Sequence, residues 1–286
     1  NDCPAHHPLI NDFLVKLEKA TKKAGVTATV ENPKGRREGM LRYVLLSVSG
    51  SSRLSCTLVW NTSQMKQCQP HLSRLLKLIK ADCASVRVNL NDRPGNAITS
   101  DRWHTVHGPQ SDFEALGAGP GSQQLGRIHF EPGSFKQANY QGFGDIVERV
   151  RKVVVEKRPA QVTEMYAGAG CIGFNLLSCP SLERIVMSDV VASNLKSYRQ
   201  TLKTLPPALA GKAEYVVGRA ESVLESCQGS ELVVVDPPRK GLDKGLVSEL
   251  KSRSSPYFAD LKTLCYVSCG FDSLARDVEE LVKGGW

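Results

Sequence analysis

Two stretches carry residues that could act together chemically. Leu264-Cys265-Tyr266-Val267-Ser268-Cys269-Gly270-Phe271 is a short apolar run that leads into a cysteine. Glu231-Leu232-Val233-Val234-Val235-Asp236-Pro237-Pro238-Arg239-Lys240-Gly241 has the same form and ends in an acid, two prolines and a basic pair. Both read as buried parallel strands, the first as an inner one. Ligands of open α/β sheets bind beyond the carboxyl ends of the strands, where Cys269 and Asp236 fall. Neighbouring strands would set the Cys269 thiol beside the Asp236 carboxylate and the Arg239 guanidinium. A thiol in such company is a candidate nucleophile, since positive charge favours the thiolate. A cysteine in an apolar strand is, taken alone, a small core residue. The surrounding elements have to decide between the two.

A glycine pattern lies upstream. Gln161–Met165 reads as a strand and Phe174–Leu177 as a helix, and Gly168, Gly170 and Gly173 between them form G-x-G-x-x-G. Glycines there let a cofactor lie against backbone near a helix N-terminus. Glu183–Ser188 reads as a second strand, and Asp189 ends it 189 − 170 = 19 residues past Gly170, a distance suited to gripping a ribose. Ala213–Val217, Leu232–Val235 and Thr263–Val267 supply three more strands, alternating with helical segments. The expected architecture is a doubly wound α/β domain over 158–286. It suits either a nicotinamide dinucleotide or S-adenosylmethionine. A dehydrogenase has no need of Asp-Pro-Pro after its fourth strand, whereas nucleic-acid methyltransferases commonly carry an acid-Pro-Pro turn there. The bland reading of Pro237-Pro238 is a stiff turn. Methyltransferase is the reading taken.

Residues 1–157 read as an α+β domain on a mostly antiparallel sheet. Pro8 to Ala24 is an amphipathic helix stopped by Gly25. Thr27–Glu31, Arg42–Ser49, Arg53–Trp60, Ser85–Leu90 and Leu125–Glu131 are expected strands, Pro70–Lys80 and Phe143–Lys157 expected helices, and 108–124 shows no element. Gln137 and Asn139 sit two apart in an extended stretch, which would turn both amides to one side. Cys3, His6 and His7 make a weak metal cluster, so no metal is expected.

The whole chain narrows the class. Its 286 residues allow two domains, and 41% hydrophobic with 23% charged residues is a globular composition. No apolar run has the length of a membrane helix, and a monomer is expected. Lys and Arg outnumber Asp and Glu by 37 to 29, a net +8 that suits a polyanion. The basic pairs Lys22/Lys23 and Arg36/Arg37 are RNA-facing candidates or ordinary solvated surface. Nine cysteines, an odd number without C-x-x-C, argue for a reducing intracellular compartment, cytoplasmic or organellar rather than secreted. The chain opens on Asn1 rather than Met, which leaves room for a removed leader.

In order along the chain, four pieces resemble the S-adenosylmethionine-dependent RNA uracil-5-methyltransferases, which make 5-methyluridine in tRNA or rRNA. They are Ser134-Phe135-Lys136-Gln137-Ala138-Asn139, Tyr166-Ala167-Gly168-Ala169-Gly170, Asp236-Pro237-Pro238-Arg239-Lys240-Gly241, and Val267-Ser268-Cys269 followed by Leu274-Ala275-Arg276-Asp277. The resemblance is clear from about 125 to 286 and fainter but collinear from Cys3 onward. It implies a Rossmann-like methyltransferase domain behind an RNA-binding or central domain. Cys269 would be the nucleophile that adds to carbon 6 of the uracil. Gln137, Tyr166, Gly168, Gly170, Asp189 and Asp236 would contact cofactor or frame the base, with Arg239 toward the substrate. Three departures accompany it. Gly270 stands where the family has Asn, and the four-cysteine iron–sulfur motif is absent. The family's general base lies in a His-Val-Glu motif that this chain does not reach by Trp286, so the natural chain continues or the base lies elsewhere; Glu279 and Glu280 read as solvated helix residues. Two rival readings remain. An RNA cytosine-5-methyltransferase would place a cysteine directly after the proline, where Arg239 stands. A non-catalytic RNA-binding protein could retain the fold.

Overall fold

The computed structural model describes residues 3, 4, 6–32, 37–117, 125–252 and 255–286, without the Gln141 side chain. Arg36 of the basic pair and residues 118–124 lie outside the described residues. The chain divides into Asn1–Glu114 and Ala115–Trp286. This division falls upstream of the expected boundary at 157/158. Ile128, Phe130, Phe143, Val147, Val150 and Val154 share one buried cluster with Ile172, Phe174 and Leu176, which draws 115–157 into the second unit.

In the first unit α1 (Pro8–Ala24) buries Phe13, Leu17, Ala20 and Ala24, and Gly25 closes it in the left-handed conformation at φ 69°. The His7 ring accepts a hydrogen bond from Leu9 N and so caps the helix. A short antiparallel pair, β1 (Val30–Glu31) and β2 (Arg37–Glu38), follows. The first is all that forms of the strand expected over Thr27–Glu31. β3 (Leu41–Val48), β4 (Leu54–Trp60), α2 (His71–Ile79), β5 (Ser85–Leu90) and β6 (Trp103–His107) complete a sheet of order β3-β4-β5-β6. Only β4 and β5 pair in parallel. Leu58, Trp60, Leu72, Leu75, Val86 and Val88 fill the core against Phe13 and Leu17. β6 carries no strand signal in the sequence, because Trp-His-Thr-Val-His shows no apolar alternation; the strand is half-exposed. β7 (Asp112–Leu116), also without such a signal, lies where Gly and Ser dominate.

The second unit begins with β8 (Gly126–Phe130) and α3 (Tyr140–Lys157). Then come β9 (Gln161–Met165), α4 (Cys171–Leu176), β10 (Arg184–Asp189), α5 (Asn194–Leu202), α6 (Pro207–Ala210), β11 (Ala213–Val217), β12 (Leu232–Val235), α7 (Lys244–Lys251), β13 (Thr263–Tyr266) and α8 (Phe271–Lys283). The five strands β9 to β13 form one parallel sheet of order β11-β10-β9-β12-β13. This is the expected doubly wound Rossmann-like arrangement. The chain leaves β9 toward β10 on one side and returns to β12 on the other, so the switch point lies between β9 and β12. One expectation needs correcting. Among the described residues β13 lies at the edge of the sheet and its four residues are half-buried, whereas β12 is buried throughout. An apolar run of four suits either position, and periodicity does not separate them.

The β8 backbone is satisfied in an unusual way. The N–H groups of Arg127, His129 and Glu131 donate to the hydroxyls of Thr204, Thr201 and Ser197 at 2.9, 2.9 and 3.0 Å. Every second residue of the strand thus meets a hydroxyl placed three or four residues from the next on α5 and its C-terminal continuation. The hydroxyls supply acceptors along one edge of the strand.

Candidate active site

The loop after β9 forms the floor of the site. Tyr166 leaves the strand in the left-handed region at φ 59°, a conformation a non-glycine residue adopts only when its surroundings impose it. Its hydroxyl donates to Asp243 Oδ2 at 3.1 Å. Burial, with the Asp243 carboxylate beside it, raises the phenol's pKa and keeps the proton in place. The three glycines differ in role. Gly168 has φ 56°, and a Cβ there would meet no atom within 4 Å, so its backbone faces the rim. Gly170 and Gly173 face inward, where a Cβ would lie 2.7 Å from Met187 Sδ in both cases. Gly170 N donates to Ala167 O at 2.8 Å, and the inward crowding makes Gly170 a packing position as well as part of the loop.

Beneath the loop lies Glu164, which is 1% exposed on a buried strand. Its Oε2 accepts the Gly173 N–H at 2.8 Å. Desolvation pushes its pKa up to about 8, against the pull of the Gly173 and Ile172 N–H groups and with the carboxylates of Asp236 and Asp189 adding to the rise. Glu164 is a site residue that no motif in the sequence marks. The available signal was an acid inside a strand that runs straight into a glycine loop.

At the end of β10, Asp189 is a hub. One oxygen accepts Gly168 N at 2.9 Å; the other accepts Val191 N at 2.8 Å and Asn194 Nδ2 at 3.2 Å. A carboxylate has about four acceptor positions, so roughly one is left for a ligand hydroxyl. Asn194 Oδ1 in turn accepts from Ser134 Oγ at 3.0 Å. The Ser134–Asn139 stretch is thereby tethered beside Asp189, with Gln137 half-buried within it. Asn139 does not share the role expected for Gln137. Its side chain accepts Gly142 N at 2.9 Å and caps α3.

Across the switch point, the ends of β12 and β13 meet. Val235 pairs with Tyr266, which brings Asp236 level with Val267 and sets Cys269 two residues further along the neighbouring strand's exit. The two turns touch: a Cβ on Gly270 would lie 3.0 Å from Arg239 O. A side chain at 270 would therefore press on the Pro-Pro-Arg turn, which rationalises glycine there. Burial raises the Asp236 carboxyl to about 6. The Cys269 thiol is exposed, whereas Cys265 is half-buried against the core and burial raises its pKa. Ser268 braces the cysteine turn, since its Oγ donates to Gly270 O at 3.0 Å and accepts Gly270 N at 3.1 Å. Phe271, just past the cysteine, is 82% exposed.

Tyr166, Gly168, Asp189, Asp236, Arg239 and Cys269 thus sit on one rim of the sheet, and the stretch bearing Gln137 is tied to it through Asn194. Glu279 and Glu280 point elsewhere, into ion pairs with Lys283 and with Lys251 and Lys283. No described helix is long and apolar enough to cross a membrane.

No family model matches the chain. It is 28% identical to an uncharacterized RNA methyltransferase of Protochlamydia amoebophila over 99% of its own length and 71% of that protein. It is 27% identical to an uncharacterized RNA methyltransferase of Geobacter sulfurreducens over 99% of its length, and 24% identical to one of Halalkalibacterium halodurans over 97%; it spans about half of either protein, 54%. Among solved structures it is similar to the M. jannaschii tRNA m1G37 methyltransferase at 12% identity, covering 96% of this chain and 71% of that one with a TM-score of 0.46, a likeness too distant to carry an argument.

Proposed function

We propose that this chain methylates RNA with S-adenosylmethionine and that its target is carbon 5 of a uridine in tRNA or rRNA. The observation that carries the reading is the meeting of the β12 and β13 exits, which sets an exposed thiol beside the Asp-Pro-Pro-Arg turn and across the switch point from a glycine loop. Similarity over nearly the whole chain to proteins named RNA methyltransferases supports the coarser part.

The residues present fit the cofactor. No side chain at Gly168 obstructs the loop, whose N–H and carbonyl there are held by Asp189 and the Tyr215 hydroxyl. Asp189 keeps an acceptor for a ribose hydroxyl, and Val190 and Val191 expose apolar surface directly after it, suited to a purine face. S-adenosylmethionine supplies an electrophilic methyl on a sulfonium. The chain's residues do the rest. The Cys269 thiolate adds to carbon 6, and the carbon 5–carbon 6 π pair moves onto the carbon 4 oxygen as an enolate. Carbon 5, now nucleophilic, takes the methyl, and the sulfonium's bonding pair stays on sulfur. Loss of the carbon 5 proton to a base then re-forms the double bond and expels the thiolate. Ionised Asp236 can accept from uracil N3–H, a donor cytosine lacks. Arg239, on the turn that meets Gly270, and Phe271, two residues past the cysteine, are both exposed, a cation and an aromatic suited to an unstacked nucleotide.

Asp189→Ala should weaken S-adenosylhomocysteine binding by about 1–3 kcal/mol in calorimetry, the scale of a charged hydrogen bond. An unchanged affinity would remove Asp189 from the site. The target base is read by digesting RNA after reaction with methyl-labelled cofactor. Label in 5-methyluridine is expected. Label in 5-methylcytidine would establish the cytosine reading, and tight RNA binding without label the non-catalytic one.

A further inference from the structure

The turn after β12 has little means of holding itself. Pro237 and Pro238 lack N–H groups, and its one internal backbone bond runs from Gly241 N to Pro238 O at 2.9 Å. The turn is gripped instead from α8. Asp277, 3% exposed, accepts Leu242 N at 2.7 Å and the Tyr266 hydroxyl at 2.8 Å on one oxygen. Its other oxygen accepts Arg276 Nε at 3.0 Å and Nη2 at 2.7 Å, and the same Nη2 donates to Lys240 O at 2.8 Å. Gly241, at φ 85°, runs so close that a Cβ would lie 2.4 Å from Asp277 Oδ2. One buried carboxylate therefore ties together the exit of β12, the last residue of β13 and the helix that follows the cysteine.

We propose that Asp277 is a positioning residue that fixes the Asp236–Arg239 turn in register with the Cys269 turn. The β12–β13 ladder, with Val267 N donating to Val235 O at 2.8 Å, sets the register up to the strand ends, and Asp277 carries it on into the turns. The Arg239 carbonyl lies against Gly270, and Cys269 follows a strand whose partner among the described residues is β12. Released, the two turns would drift independently, and misplacing reacting groups by about 1 Å can cost on the order of a hundredfold in rate. Asp189 and Gly168 belong to the other half of the sheet, so cofactor affinity should not depend on the clamp. The rate consequence rests on the uridine reading above; the mechanical role does not.

The test compares Asp277→Ala, Asp277→Asn and wild type in three measurements: hydrogen exchange of the Leu242 amide, single-turnover adduct formation with 5-fluorouridine RNA at saturating S-adenosylmethionine, and the Kd for S-adenosylhomocysteine. In Asp277→Ala the Leu242 amide should lose protection and the adduct rate should fall about a hundredfold, with the Kd within about threefold of wild type. Asparagine keeps an oxygen for Leu242 and Tyr266 and should restore the rate to within about tenfold. A protected Leu242 amide in Asp277→Ala overturns the proposal. So does a fall in cofactor affinity as large as the fall in rate, because that is the pattern of general unfolding. Should wild type itself form no adduct, the uridine reading falls, and exchange at Leu242 with the iodoacetamide alkylation rate of Cys269, neither of which needs RNA, still decides the clamp. Faster exchange with altered alkylation upholds it, and no change in either overturns it.

Discussion

Replacing Glu164 by glutamine should turn the protein's stability nearly independent of this site between pH 5 and 9, so that the wild-type and variant curves cross. The ordinary carboxyl value is 4.5 and the folded one about 8. Between those limits the native state keeps a proton that the unfolded chain has lost. Stability from this group is therefore complete below about 4.5 and drains away as pH rises through about 8. At 1.36 kcal/mol per unit, the loss is on the order of 3–5 kcal/mol. Glutamine does not titrate, yet it must offer one oxygen where the carboxyl offers two, so at pH 5 the variant should be less stable by about 1 kcal/mol. At pH 9 it should be the more stable by a few kcal/mol. Urea midpoints at both ends of the range check this, and parallel curves would mean that Glu164 is ionised in the folded protein throughout.

That result bears on function because of what Glu164 supports. It holds Gly173 N beneath the glycine loop, and the neighbouring carboxyls of Asp189 and Asp236, whose charge helps keep Glu164 protonated, stand at the two sides of the same switch point. The carboxylates of Asp189 and Asp236, rather than Glu164, which keeps its proton up to about pH 8, would favour a positively charged sulfonium over a neutral thioether and help product leave.

The sequence disclosed strand exits better than it disclosed what braces them. Asp189, Asp236 and Cys269 were legible because each ends an apolar run, and an apolar run ending in chemistry marks a sheet rim whatever its neighbours are. Strand order was not legible in the same way. Thr263–Tyr266 has the composition of an inner strand and lies at the edge, because composition records burial only coarsely. The supporting residues were hidden for a different reason. Asp277 holds the Leu242 amide 35 residues away, Ser134 and Asn194 meet across 60 and Tyr166 and Asp243 across 77, and no local period marks a side chain whose partner is distant in the chain. Glycines gave a mixed signal. The G-x-G-x-x-G spacing correctly placed the loop, but only Gly168 faces outward; Gly170 and Gly173 are glycine because Met187 and Glu164 press against them. In the first unit, β6 escaped because a half-exposed strand rich in His and Thr carries no alternation.

The most direct test of the account is covalent capture at Cys269. RNA carrying 5-fluorouridine at the target, incubated with the chain and S-adenosylmethionine, should give a methylated protein–RNA adduct. Fluorine at carbon 5 cannot leave as a proton does, so the reaction stops after methyl transfer, before the base acts. The trap therefore works whichever group is the base. Cys269→Ala should form no adduct and lose turnover by at least about a thousandfold, the scale on which removal of a nucleophile is felt. Its affinity for S-adenosylhomocysteine should stay within about threefold, because the glycine loop and Asp189 lie on other strands. Cys265→Ala should still form the adduct, since Cys265 sits four residues back in the strand, half-buried against the core. Peptide mapping of the captured species should find the RNA on Cys269. An adduct on Cys265 or Cys171, or none when RNA and cofactor are both shown to be bound, would contradict the account.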